Sequence, residues 1–304
     1  MGIYLQGREV KMISQEYKRY LRSKGNILFL ILSVIPVALS YYTTWLEKMD
    51  WISQYHNPGA DVSDAEGFLA LAKGYNGFTY LSKFLFSSDS MVFFIWVMLI
   101  GFAAVSGTRI YSYCQNGYGN LLVSRIGYKQ FQKDIFIAQN LYVLTVMGME
   151  FLLLTGITLL IFPPEKSDFF VTALTLYDTT DIVSLLMVLA KQYIIILIYV
   201  LLVMNITLLS ACVIRNRYII QFLPILIYLV PGLVISVVET FCYPLAEKLL
   251  MFAPNVYLFS YYALFIEEQS NLAGMRQFIV LPGIFLVVIV MLYRLCSRLG
   301  RNYV

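Results

Sequence analysis

The chain has 304 residues, of which 60% are apolar and 13% charged, with a formal net charge of +4. An ordinary soluble domain is about 45–50% apolar and about 25% charged, so this composition excludes a water-soluble enzyme, a nucleic-acid-binding module and a disordered chain. A polytopic helical membrane protein remains, because the apolar stretches are continuous and far longer than the alternating ten-residue strands of a barrel.

The first element is an amphipathic helix over 12–24. Ile13, Tyr17, Tyr20 and Leu21 share one face, and Lys11, Lys18 and Arg22 take another. It reads either as a helix lying in the membrane interface or as a plain positive anchor, with Gly25 turning the chain into the membrane. Six stretches then suffice to cross about 30 Å of hydrocarbon: 27–45, 91–111, 138–162, 192–213, 218–238 and 278–295. Pro36, Pro224, Pro231 and Pro282 fall inside spans and kink them. Basic residues followed by an apolar run resemble a signal peptide, but the run is too long and no clean small-x-small site ends it. A retained first span is expected.

Between the first two spans, Ser63-Asp64-Ala65-Glu66 reads as a capping box opening a short outer helix that Gly74 stops. Between the last two spans, 240–276 is mostly apolar yet broken by Pro254 and edged by Glu247, Glu267 and Glu268. We expect two short helices dipping into the outer leaflet there, in preference to a seventh span.

Charge sets the orientation. The segments 1–26, 109–134, 214–217 and 294–304 hold 15 of the 22 basic residues, whereas 46–90, 163–181 and 239–277 hold 14 of the 18 acids. The positive-inside rule then places both termini in the cytoplasm of a single 1–304 domain in the cell membrane. Of the four cysteines, Cys114, Cys212 and Cys296 fall on the cytoplasmic side and only Cys242 faces out, so no intrachain disulfide forms outside.

Catalytic and metal-binding patterns do not emerge. His56 is the single histidine, and the chain holds neither a Gly-x-Ser-x-Gly elbow nor a phosphate-binding loop, so no cofactor or metal is expected in it. Two intramembrane polar residues stand out, Glu150 in the third span and Asn205 in the fourth. A charge at such depth costs about 2.5–3.5 kcal/mol, so Glu150 faces protein or water or stays protonated. Counting 1.5 Å per residue from the outer ends, Phe162 and Lys191, gives the two similar depths of roughly 18 and 21 Å. A hydrogen bond between them is expected, either as a structural clamp or as part of a substrate path.

The loop between spans two and three reads Tyr113-Cys114-Gln115-Asn116-Gly117-Tyr118-Gly119-Asn120-Leu121-Leu122-Val123-Ser124-Arg125-Ile126-Gly127-Tyr128-Lys129-Gln130-Phe131-Gln132-Lys133. It resembles the loop of type-2 ABC transporter permeases, in which a polar or acidic residue and glycine precede an apolar "ll-x-R" stretch, an aromatic/basic pair and a lysine. Gln115 or Asn116 stands where that family often has an acid. The resemblance implies an all-α permease of six spans, paired with a second permease subunit, identical or not, and coupled to separate ABC ATPase subunits that bind the ATP. It implies export, with coupling residues Leu121, Leu122, Arg125, Tyr128, Lys129 and Phe131 contacting the ATPase. The bland reading of the same loop is a solvated basic segment that only fixes topology. Two other classes stay open: a non-transporting scaffold or immunity-type membrane protein, which would retain no ATPase, and an ion-coupled carrier, which would need internal repeats and several intramembrane ionisable groups.

The charge bias predicts that a single cysteine placed at Lys129 or Arg301, in a chain lacking the four natural ones, reacts with a membrane-impermeant maleimide only after the membrane is opened. Labelling of either position in sealed, right-side-out cells would overturn the orientation.

Overall fold

Among the described residues of the computed structural model, six helices are long and apolar enough to cross a membrane: Lys24–Tyr55, Asp89–Tyr113, Tyr128–Ile161, Leu186–Ser210, Arg217–Phe241 and Ile279–Cys296. Each overlies one of the six apolar stretches. The structure describes residues 2–56, 67–69, 72–86, 88–115, 123–163, 182–214, 216–254, 257–258 and 271–301, and among these residues there is no strand. In chain order the helices are α1 (Gly2–Leu21), α2 (Lys24–Tyr55), α3 (Gly77–Phe86), α4 (Ser88–Phe102), α5 (Thr108–Gln115), α6 (Tyr128–Ile161), α7 (Ile182–Ser210), α8 (Arg217–Phe241), α9 (Tyr243–Leu249) and α10 (Asn271–Arg301). A π turn, Ala103–Gly107, joins α4 to α5 within the second span.

Local chemistry explains the boundaries. Asn216 caps α8, its Oδ1 accepting from the backbone N–H of Tyr218 (2.9 Å) and Ile219 (3.4 Å). Asn76 does the same for α3, accepting from Phe78 N (2.9 Å) and Thr79 N (3.3 Å). Gly127 stands at φ 81°, a conformation open to glycine, and separates the helical turn 123–126 from α6. All four prolines expected inside spans lie inside helices.

The second and fourth spans form the centre: 61% and 72% of their apolar windows are buried, against 17–28% for the other four. Met98, Leu99, Phe102 and Ala103 from the second span meet Tyr199, Val200 and Val203 of α7 in one core. Helix α2 lies along α4, and the approach is close enough that a Cβ added to Gly101 would come within 2.2 Å of Phe29 Cγ.

Two expectations change. The turn between α1 and α2 falls at Arg22–Ser23, and Gly25 lies already inside α2, where a Cβ would meet Val105 at 3.3 Å. Its small size serves packing. The apolar face of α1 also rests on the protein itself: Tyr20 is fully buried in the core, with Ile13, Tyr17 and Leu21 packed against it. Lys18 and Arg22 remain exposed on the other face.

At the acid-rich end, the capping box at 63–66 lies outside the described residues, and Gly74 sits in the turn before α3. Helix α3 is a buried plug: Phe78, Tyr80, Leu81, Phe84 and Leu85 are all enclosed, and Tyr80 stacks on Phe162 at 4.2 Å. Gln192 of α7, fully buried, donates to Leu258 O (2.9 Å) and Leu85 O (3.4 Å), tying the plug to the segment after α9. Before the last span the described residues hold α9 and the 3-10 turn Leu250–Phe252, and residues 255–256 and 259–270 of the expected second short helix lie outside the described residues. Of the four cysteines, Cys242 is exposed, Cys212 half-buried and Cys296 buried, none of these three in a disulfide; the side chain of Cys114 lies outside the described residues.

Because Phe29 Cβ as well as its ring crowds Gly101, no simple rotamer change makes room. Gly101→Leu is expected to lower stability by about 1–3 kcal/mol, read as a fall in thermal unfolding temperature in detergent, while Gly148→Leu, at a position with open space around it, leaves it near wild type.

Candidate functional site

The four basic segments converge on one end of the bundle. Met12, Ile110, Tyr113, Phe131, Leu209, Ile220 and Cys296 share a second apolar cluster there, and the Cys296 thiol donates to Leu209 O at 3.3 Å. A buried carboxylate organises the same end. Glu16 of α1 accepts from Arg19 (2.7 Å) and from the Tyr113 hydroxyl (2.9 Å), with Arg109 Nε at 3.4 Å. Two guanidinium groups and a phenol offset the burial of one carboxylate. Burial first, and the neighbouring Glu16 second, raise the Tyr20 phenol above its ordinary value, keeping it neutral.

The loop after the second span is braced at both ends. Tyr113 on α5 meets Phe131 on α6 with ring centroids 6.2 Å apart, and Val123 and Ile126 rest on the same cluster. Leu121 and Leu122 lie outside the described residues. Arg125 and Lys129 are exposed and Tyr128 is half-buried. Phe131 does not match its expected role. It is 6% exposed and packed in the protein's own cluster, so it cannot enter a groove of a partner. The reason is helical phase: Lys129 and Phe131 are two residues apart on α6, so one points out and the other in.

In the membrane interior, Glu150 and Asn205 do not bond each other. Ser33 Oγ of α2 donates to Glu150 Oε1 at 2.6 Å, while Asn205 exchanges two amide hydrogen bonds with Asn140 of α6, both 3.0 Å. Depth counting failed because α7 begins at Ile182, nine residues before Lys191, which adds about 13 Å. Gln139, beside this pair and fully buried, donates to Met204 O at 2.9 Å.

Helices α2 and α6 run parallel and are joined by a ladder. Tyr142 donates to Asn26 (2.6 Å), Ser33 to Glu150 (2.6 Å), and Tyr41 is hydrogen-bonded to Thr158. Long side chains make these rungs while the two backbones stand apart, and a cavity of about 430 Å³ opens between them. Its wall is apolar, with Val34, Val37, Leu153 and Ile157 at its sides and Phe94 and Tyr193 behind. Glu150 lines one end. Its Oε1 is bonded to Ser33, but its buried Oε2 has no hydrogen-bond partner among the described residues. The arrangement can bind and orient; among the described residues no group of three His, Cys, Asp or Glu side chains could hold a metal.

The reciprocal amide pair generates a double-mutant test. Asn205→Leu and Asn140→Leu each remove both amide bonds of the pair, although Asn140 keeps its bond to Phe136 O (2.8 Å), so each is expected to destabilise by about 0.6–2 kcal/mol. The double variant should cost less than the sum, measured by thermal unfolding in detergent; strict additivity would mean the pair is uncoupled. Comparison of the chain with protein-family models, with curated proteins and with solved structures finds no match, so its geometry carries the functional reading.

Proposed function

We propose that the chain is the membrane-spanning permease subunit of an ATP-binding-cassette exporter in the cell membrane, with both termini cytoplasmic. In this reading it pairs with a second permease subunit and takes its driving force from separate ATPase subunits. One observation carries the reading: the basic loop after the second span presents Arg125 and Lys129 outward while both its ends are fastened to the bundle. A loop that only fixed topology would need charge but no bracing. A braced loop transmits force.

Three features support the same reading. The resemblance of the loop to those of type-2 ABC permeases implies coupling contacts here. The π turn in the second span lies directly before α5, and such turns recur where helices must adjust at functional sites. Helix α1 is clamped through Glu16 to Arg109 and Tyr113, so a push on the loop reaches the amphipathic helix as well.

The coupling surface is therefore Arg125, Lys129 and the half-buried Tyr128, with Leu121 and Leu122 contributing as the resemblance implies. Arg125→Glu with Lys129→Glu should insert and unfold like wild type, yet reduce the ATPase co-purifying through a tag on this chain by about an order of magnitude. Phe131→Ala separates surface from scaffold: it removes a buried ring, and about 3 kcal/mol or more of stability, without altering the exposed charges. If the charge-reversed variant retains wild-type amounts of ATPase, the loop is not the coupling element and a scaffold role becomes the better reading.

A further inference from the structure

The cavity between α2 and α6 has a shape and a chemistry that neither the coupling loop nor the bundle's own packing requires. Its lining runs from Leu30 to Tyr41 on α2 and from Glu150 to Ile161 on α6, a rise of about 16 Å along each helix. At about 430 Å³ it falls within the range of small-molecule sites, roughly 300–1,000 Å³. Val34, Leu153 and Ile157 are exposed on its rim, so it opens sideways toward lipid.

Glu150 is the ionisable side chain of this lining that an apolar guest could address. The other polar groups are already engaged: Tyr193 donates to Met147 O (2.8 Å), and Thr158 donates to Leu154 O (2.6 Å) while bonded to Tyr41. Among the described residues no lysine, arginine or histidine lines the cavity, and their ion pairs are made by Glu16 and Glu47, never by Glu150. The Ser33 hydroxyl shares its proton between Glu150 Oε1 (2.6 Å) and Leu30 O (2.7 Å), and Oε2 is buried without a partner among the described residues. A neutral hydroxyl could bond Oε2 only while the carboxyl keeps its proton, because it offers nothing to compensate the ionised form in hydrocarbon. A protonated amine supplies both the donor and the opposite charge.

We propose that this cavity is a binding site for hydrophobic amines, with the protonated nitrogen on the Glu150 carboxylate, which turns to expose its buried Oε2, and the apolar body lying along α2 and α6 toward Tyr41. Entry is lateral, from the bilayer, where such compounds concentrate. The site needs neither ATP nor a partner subunit, so it stands apart from the permease reading.

The test uses the full chain in nanodiscs of zwitterionic lipid, with a diazirine-bearing octylamine as probe and the matching octanol as its neutral twin. Adducts are mapped by mass spectrometry. The amine should label 30–41 and 153–161 saturably, and excess octylamine should displace it; octanol should label without saturation. Glu150→Gln should weaken the saturable labelling about tenfold or more and leave octanol labelling unchanged. Ala38→Phe fills the cavity from an exposed position of its lining and leaves Glu150 in place, so it should abolish saturable labelling even if Glu150→Gln does not fold. Equal labelling by amine and alcohol, saturable labelling confined to other helices, wild-type affinity in folded Glu150→Gln, or retained saturable labelling in Ala38→Phe would each overturn the site.

Discussion

In hydrocarbon, polar groups must find partners inside the protein, and the rest of this structure depends on how α2 and α6 meet that demand. Three rungs, Asn26–Tyr142, Ser33–Glu150 and Tyr41–Thr158, join residues 116, 117 and 117 apart in sequence. The near-constant offset means that two parallel helices are held in one register along their length. Long tyrosine and glutamate side chains make the rungs, so the helices need not touch. The ladder therefore holds the bundle together and leaves a cavity at once.

Around this pair the bundle is unequal. The second span and α7 are enclosed, while the first, third, fifth and sixth spans turn most of their apolar surface outward. An enclosed helix tolerates little change: Gly101 and Gly107 face Phe29 and Ile220 at distances where a methyl group would clash or press. The outer helices are free to meet lipid or another subunit. Between them the π turn Ala103–Gly107 sits where the central helix leaves the core for the basic end. Under the proposed coupling, motion at that end would enter the core through this helix.

The two ends differ in chemistry as well as in charge. At the basic end Glu16 gathers two arginines and a tyrosine, binding α1 to the second span. At the opposite end aromatic stacking dominates, with Tyr80 on Phe162 and Tyr41 edge-on to Tyr80 at 5.4 Å. Glu16 organises the end that is proposed to face the ATPase, while the other end combines aromatic packing with the Glu47–Lys83 ion pair.

The six spans, their proline positions and the gathering of basic residues into four segments were legible in the sequence, because length and apolarity alone force helix in lipid. Helix α3 was not: ten residues are too few to register as a span, and only the Asn76 cap before Phe78 signalled its start. Glu150 and Asn205 were visible as isolated polar residues, yet their partners, Ser33 and Asn140, were not. Hydropathy locates a span without fixing its true end or its rotation, and either error moves a side chain to a different neighbour. The same holds for Phe131, whose aromatic character suggested a docking residue until helical phase turned it inward against Tyr113. The sequence by itself determined which segments are long and apolar enough to cross a membrane and where its charge lies. Only the tertiary structure decided which polar group meets which, because register between helices is set by packing and not by composition.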